Sequence, residues 1–109
     1  MVKRILFVCT GNMDRSPTAE GLLSGRENFE VKSAGTWVHA KNRISKDLIE
    51  WADMIFVMED HHRDAILDLC PEADNKIVVL GVPDVYRRND PRLIEILKEK
   101  IAKHLNVEW

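Results

Sequence analysis

Apolar and polar positions alternate between two periods along this chain, and the alternation predicts its elements. A run over residues 2–8 ends in Ile5-Leu6-Phe7-Val8 and reads as a buried strand. Apolar and polar residues then alternate over 28–33, as in a short half-exposed strand. Met54-Ile55-Phe56-Val57-Met58 is continuously apolar, the pattern of a central strand covered on both faces. A fourth strand is expected over 76–80. Between these runs the period lengthens. A helix is predicted from Pro17 to Arg26, and a short one capped by Ser45 runs to Trp51 with Leu48, Ile49 and Trp51 as core contacts. Another, capped by Asp60 and stopped by Pro71, puts Ala65, Ile66 and Leu69 on one face. The last starts at Asp90-Pro91 and carries Leu93, Ile94, Leu97, Ile101 and Leu105 at helical spacing, with Glu99 placed to pair with Lys103. Strand and helix in strict alternation define an α/β fold with a parallel sheet and helices on both faces.

The bulk properties narrow this picture further. A chain of 109 residues, 45% hydrophobic and 31% charged, has the make-up of one globular domain, 1–109, rather than a disordered segment. A net charge of -2 offers no basic surface for nucleic acid. No apolar run approaches the ~20 residues of a membrane span, and the N-terminus lacks a signal-peptide pattern, so a cytoplasmic protein without a membrane partner is expected. The two cysteines, Cys9 and Cys70, are not expected to form a structural disulfide in that compartment, and Cys70 reads as a small buried hydrophobe at a helix end. His61 and His62 are adjacent rather than spaced for one metal and read as a solvated helix end, while His39 and His104 have no identifiable partner. No metal and no cofactor are expected.

The chemistry collects in Thr10-Gly11-Asn12-Met13-Asp14-Arg15-Ser16, between the first strand and the first helix. Ser16 is a suitable cap and Pro17 a suitable first helical residue. Backbone amides and the positive end of a helix dipole converge at such a junction and make it an anion site. Cys9 and Arg15 flank it with five residues between them. Positive surroundings at a helix N-terminus favour the thiolate of Cys9, and the planar fork of Arg15 grips two oxygens of a phosphate. A nucleophile and an anion holder on one loop are the parts of a phosphatase that works through phosphocysteine. Gly11 lets the backbone approach the phosphate closely, and Asn12 tolerates a left-handed conformation.

Cys-x5-Arg-Ser-Pro directly after the first strand closely resembles the low-molecular-weight protein tyrosine phosphatases. Ala19-Glu20, Ser33-Ala34-Gly35-Thr36, 52–58 and Val82-Pro83-Asp84-Val85-Tyr86 are similar to further family segments in family order. The resemblance implies a flavodoxin-like, three-layer sandwich with strand order 2-1-3-4. It also implies that the amides of residues 10 to 15 hold the phosphate, that Asn12 pins the loop by side-chain hydrogen bonds, and that Ser16 donates to the Cys9 sulfur. Pro83-Asp84-Val85-Tyr86 resembles the family's acid loop, which makes Asp84 the general acid and Tyr86, with Trp37, a candidate wall for an aryl ring. Asp90 of Asp90-Pro91 is the competing acid, but opens the last helix and reads as its cap.

Three departures stand out. Asp14 occupies a position where the family often has a second cysteine, and is expected to point to solvent because a carboxylate facing the site would oppose an anion. Val85 replaces the usual proline of the acid loop. The segment between Thr36 and Ala52 is much shorter than in the family, so the catalytic loop is intact while the substrate wall is cut back. The implied function is hydrolysis of a phosphotyrosine protein or small aryl phosphate, with inorganic phosphate or vanadate as inhibitors. The alternatives are a phosphate- or phosphopeptide-binding module of weak activity, and a thiol-dependent arsenate reductase, for which Cys70 alone is a poor relay.

Overall fold

The computed structural model describes residues 2–109. The sheet comprises β1 (Lys3–Cys9), β2 (Phe29–Gly35), β3 (Met54–Val57) and β4 (Ile77–Val79), all parallel, in the order β2-β1-β3-β4. The helices are α1 (Arg15–Leu23), α2 (Lys46–Trp51), α3 (Asp60–Leu69) and α4 (Pro91–Ala102), with a 3-10 turn over Pro71–Lys76. The expected fold and strand order are therefore both found.

Two apolar clusters account for the layering. Ile5 and Phe7 of β1 pack with Ala19 and Leu23 of α1 and with Leu93, Leu97 and Ile101 of α4. Leu6 and Val8 point the other way, toward Ile49 of α2 and Ile66 of α3. All four β1 side chains are fully buried, because alternate residues of a strand face opposite sides and here both sides carry helices. Phe7 and Phe56 stack at 5.4 Å within the first cluster.

Helix ends show where local signals hold. Asp90 caps α4, its carboxylate accepting from the Arg92 N–H at 2.8 Å, and Ser45 caps α2 by accepting from the Leu48 N–H at 3.2 Å. The Lys76 ammonium donates to the carbonyls of Ile49 and Ala52, satisfying the open C-terminal end of α2. Leu69, expected on one helix face with Ala65 and Ile66, is 46% exposed at the end of α3, whereas Ile66 is fully buried. Two starts differ from expectation. Helix α1 begins at Arg15 with Asp14 as its cap residue, so Ser16 lies inside the first turn and its hydroxyl serves the site instead. Helix α3 is capped by Glu59 rather than Asp60, and the His62 ring turns back to accept the Glu59 N–H.

Register then delivers the active edge. Cys9 pairs with Gly35 and Val8 with both Ala34 and Val57, so β1, β2 and β3 end level and their following loops share one edge of the sheet. Gly35 is where two of these loops touch. A methyl group there would lie 2.7 Å from the Ala40 Cβ, 3.0 Å from the Asn12 N and closer still to the Thr10 carbonyl oxygen. Replacing Gly35 by Ala is expected to cost about 1–3 kcal/mol in urea unfolding, as overpacking does. Gly21, in α1 with open space where its Cβ would be, should gain up to about 1 kcal/mol on the same substitution. Equal effects at the two glycines would refute this reading of Gly35.

Candidate active site

Residues 10–14 leave the end of β1 and turn into α1, and the turn is held open from outside. The carbonyls of Cys9, Thr10 and Gly11 accept from the N–H groups of Thr36, Trp37 and Lys41 at 2.9–3.1 Å. Among the described residues, the N–H groups of Gly11 through Asp14 donate to no protein acceptor. A row of free donors at a helix start, beside a thiol, is an anion cradle.

Asn12 fixes the shape of that row. Its φ is 54°, in the left-handed region that Asn tolerates. Its amide nitrogen donates to Ser16 Oγ at 2.8 Å and Ser33 Oγ at 2.9 Å, and its amide oxygen accepts from Asn42 at 2.9 Å. Ser33 in turn donates to Glu20 at 2.5 Å. With Asn12 filling a lone pair of Ser16, the Ser16 hydroxyl hydrogen has two acceptors in reach, the buried Cys9 Sγ at 3.0 Å and the Ala34 carbonyl at 3.3 Å, of which the sulfur is the nearer.

Arg15 is 1% exposed, which demands partners for its charge. Its Nη1 donates to Glu59 Oε1 at 2.5 Å and to the Val82 carbonyl at 2.8 Å, and its Nη2 donates to Thr10 Oγ1 at 3.3 Å. Both Nη1 hydrogens are thereby used. The edge formed by Nε and the second Nη2 hydrogen remains, which is the geometry that meets two oxygens side by side. Asp84 Oδ1 stands 3.7 Å from Nε, on that edge.

Cys9, Thr10, Gly11, Met13, Asp14, Arg15, Trp37 and Asp84 line one cavity of about 260 Å³. Trp37 is thus at the cavity as expected, and so is Asp84. Tyr86 is elsewhere: half-buried, it packs on the α1–α4 cluster beneath the Arg92 guanidinium, 5.7 Å from its ring centre. Asp14 is not a free solvent-facing carboxylate. It lines the cavity and accepts the Arg88 N–H at 2.9 Å, while Thr18 Oγ1 accepts the Asn89 N–H at 3.0 Å. Together these bonds stitch the 83–90 loop to the start of α1 and bring Asp84 to the cavity. Asp90 is bound to Arg92 by its side chain and backbone, which lowers its pKa and leaves it serving the helix.

Sequence reasoning missed Glu59 and His62. His62 was expected in solvent with His61; it is fully buried, and only His61 is exposed. Burial chiefly, with His61 and the Arg15 guanidinium beside it, lowers its pKa to about 4, so the ring is neutral. The Glu59 pKa is also lowered, chiefly by its hydrogen bond from Arg15. The available signal was the parallel topology, which puts the start of α3 at the same sheet edge as the Cys9 loop. Glu59, His61 and His62 lie close enough for a metal, yet both His62 nitrogens are engaged, one by the Glu59 N–H and the other by Thr10.

The comparisons with known proteins fit this geometry. Residues 4–51 match the family model described as low molecular weight phosphotyrosine protein phosphatase. A protein-arginine-phosphatase of Geobacillus stearothermophilus is 33% identical, with 99% of each chain covered. The low molecular weight protein-tyrosine-phosphatase Wzb of Salmonella typhi is 32% identical, covering 99% of this chain and 97% of the relative. A solved structure of the tyrosine phosphatase Wzb from Escherichia coli K30 in complex with phosphate superposes with a TM-score of 0.77 at 26% identity, covering 94% of this chain and 96% of that one. The fold and site define a protein of the phosphate-loop, cysteine-dependent kind. The chain belongs to the low molecular weight phosphotyrosine protein phosphatase family.

The two shifted groups predict an acid limb in stability. The His62 pKa is lowered on folding, so the unfolded chain binds more protons between about 4 and the ordinary 6.5, and stability falls as pH drops through that window. Glu59, also lowered, contributes stability that is present above 4.5 and lost below it. Thermal unfolding against pH should therefore show a flatter profile between about 4 and 6.5 for His62→Gln, and a flatter one below 4.5 for Glu59→Gln. Parallel curves for parent and variants would contradict the assignment.

Proposed function

We propose that the protein is a single-domain, metal-independent phosphomonoesterase that removes phosphate from phosphotyrosine in proteins through phosphocysteine on Cys9. The observation that carries this reading is the cradle of free N–H groups with the Cys9 thiol and the open edge of Arg15 facing one cavity. Cys9 Sγ attacks phosphorus, a P–S bond forms and the ester P–O bond breaks. The Asp84 carboxyl gives its proton to the leaving oxygen. Asp84, now a carboxylate, takes a proton from water as that water attacks phosphorus, the P–S bond breaks, and inorganic phosphate leaves. The amides of residues 10 to 15 and the Nε/Nη2 edge of Arg15 hold the equatorial oxygens, and the Ser16 hydroxyl steadies the sulfur both as nucleophile and as leaving group.

Trp37 and Met13, 50% and 63% exposed at the cavity, suit an aryl ring better than a short polar alcohol. Phosphate and vanadate are expected to compete at the loop, as the phosphate complex of the Wzb relative suggests. A second reading has one observation in its favour. Two carboxylates, Asp14 and Asp84, line the cavity, and a cationic guanidinium would pair with them, as in a phosphoarginine side chain. The Geobacillus stearothermophilus relative is a protein-arginine-phosphatase and the Salmonella typhi relative a protein-tyrosine-phosphatase. Release of phosphate from phosphotyrosine and phosphoarginine peptides, compared at equal concentration, separates the two.

Hydrolysis of p-nitrophenyl phosphate without added metal should be measurable for the parent protein and absent for Cys9→Ser, which should still bind phosphate. Asp84→Asn should slow turnover by roughly 10²–10⁴. Asp90→Asn should leave the rate near that of the parent. Unchanged turnover in Cys9→Ser, or a large loss confined to Asp90→Asn, would refute the respective assignment.

A further inference from the structure

Thr10 and His62 form a pair that the scheme above does not use. Thr10 Oγ1 lies 2.9 Å from His62 Nε2 and 3.3 Å from Arg15 Nη2. Arginine only donates, so one lone pair of the Thr10 oxygen is filled by Arg15. The direction of the other contact follows from the far side of the ring. His62 Nδ1 accepts the Glu59 backbone N–H at 3.0 Å and so carries no hydrogen. A neutral ring has one N–H, here on Nε2, and that group donates to Thr10. Both lone pairs of the Thr10 oxygen are then occupied, and neither neighbour can accept its hydrogen. Thr10 also lines the cavity with Cys9 and Arg15, where its hydrogen can find an acceptor on a bound oxyanion.

We propose that the Thr10 hydroxyl is an additional oxyanion donor of this site, and that His62 is the positioning residue that turns it toward the bound phosphoryl group. This deepens the phosphatase reading and rests on it. The backbone amides supply donors that any sequence would have, whereas this one is a side chain set by a helix from the other side of the sheet. The chain from the Glu59 N–H through His62 to Thr10 has a hydrogen bond at each joint. The ring is fully buried and its tautomer is fixed by a backbone group. A donor held this way before substrate arrives needs no reorganisation as negative charge grows on the phosphoryl oxygens.

Variant kinetics, one spectrum and a vanadate titration test this. Thr10→Val removes the hydroxyl at nearly constant shape and should lower kcat for p-nitrophenyl phosphate by about 10²-fold, as loss of an oxyanion donor does, with a smaller change in KM. Thr10→Ser, which keeps the hydroxyl, should recover most of the rate. His62→Leu, which lacks the Nε2 donor, should lower kcat in the parent and have little further effect when combined with Thr10→Val, while His62→Gln, whose amide can replace that donor, should recover part of the rate. Nitrogen shifts of His62 in the parent should show the hydrogen on Nε2. A parent rate matched by Thr10→Val or by His62→Leu, an Nδ1–H ring, or a His62→Leu loss that adds undiminished to that of Thr10→Val would overturn the proposal. Titration with inorganic vanadate is run on the same proteins. Vanadate bound equally by the parent and Thr10→Val refutes the donor alone, whereas a parent that neither turns over nor binds vanadate refutes the phosphatase reading with it.

Discussion

A guanidinium taken out of water is the constraint on which the rest of this structure turns. Isolating such a charge costs several kcal/mol unless the lost water contacts are replaced by well-placed acceptors. For Arg15 the replacements come from distant parts of the chain: Glu59 between β3 and α3, the Val82 carbonyl beyond β4, and Thr10 in the loop itself. Only a parallel sheet in this strand order brings those junctions to one edge. The fold and the anchoring of Arg15 therefore depend on each other. Because the anchors take Nη1, the edge left over is oriented by the stability of the protein rather than by its ligand, and the site is organised before phosphate arrives.

The sulfur of Cys9 is set by a second chain of contacts running under the loop. Asn12 donates to both Ser33 and Ser16, Ser33 donates on to Glu20, and the Ser16 hydroxyl reaches Cys9. A buried network of this kind is stable only when each member is satisfied, and leaving one donor idle would cost roughly 1–3 kcal/mol. That explains why Asn12 holds a left-handed backbone: only there does its short amide meet Ser16, Ser33 and Asn42 together.

The strands and helices were legible because their periods are determined by burial on one face or two, which residue type reports directly. The strand order was not; it came with the family resemblance. The start of α1 was misread because Ser16-Pro17 is a good local signal for a helix start, yet Arg15 and Ser16 both turn inward to Glu59 and Cys9, a demand made by residues far along the chain. His62 escaped notice for a similar reason. Neighbouring residues on a helix point about 100° apart. An adjacent pair at a helix start can therefore place one ring in solvent and the other against the active loop. Tyr86 shows the converse error, since nearness in sequence to Asp84 does not fix the side on which its ring packs. That Cys9, Arg15 and Asp84 meet at one cavity was legible because the chemistry read from them asks for all three at one place.

The shortened segment after Thr36 bears on what can be trimmed from such a fold. A wall built of side chains can be cut back without touching the chemistry, provided that nothing in the catalytic loop leans on it. Here the loop does lean on residues 36–42, but through backbone N–H groups that fill its outward carbonyls, together with the Asn42 amide. Backbone contacts of that kind survive almost any change of side chain, and they need only a few residues placed closely past Gly35. Gly35 permits that closeness, since a side chain there would drive the two loops apart. The loop's support is thus compressed into a few residues around one glycine, and Trp37, exposed at the cavity, stands immediately beside it. A chain of this length can hold a phosphate cradle in shape because the support is local, while recognition of whatever carries the phosphate falls to the few exposed side chains at the rim.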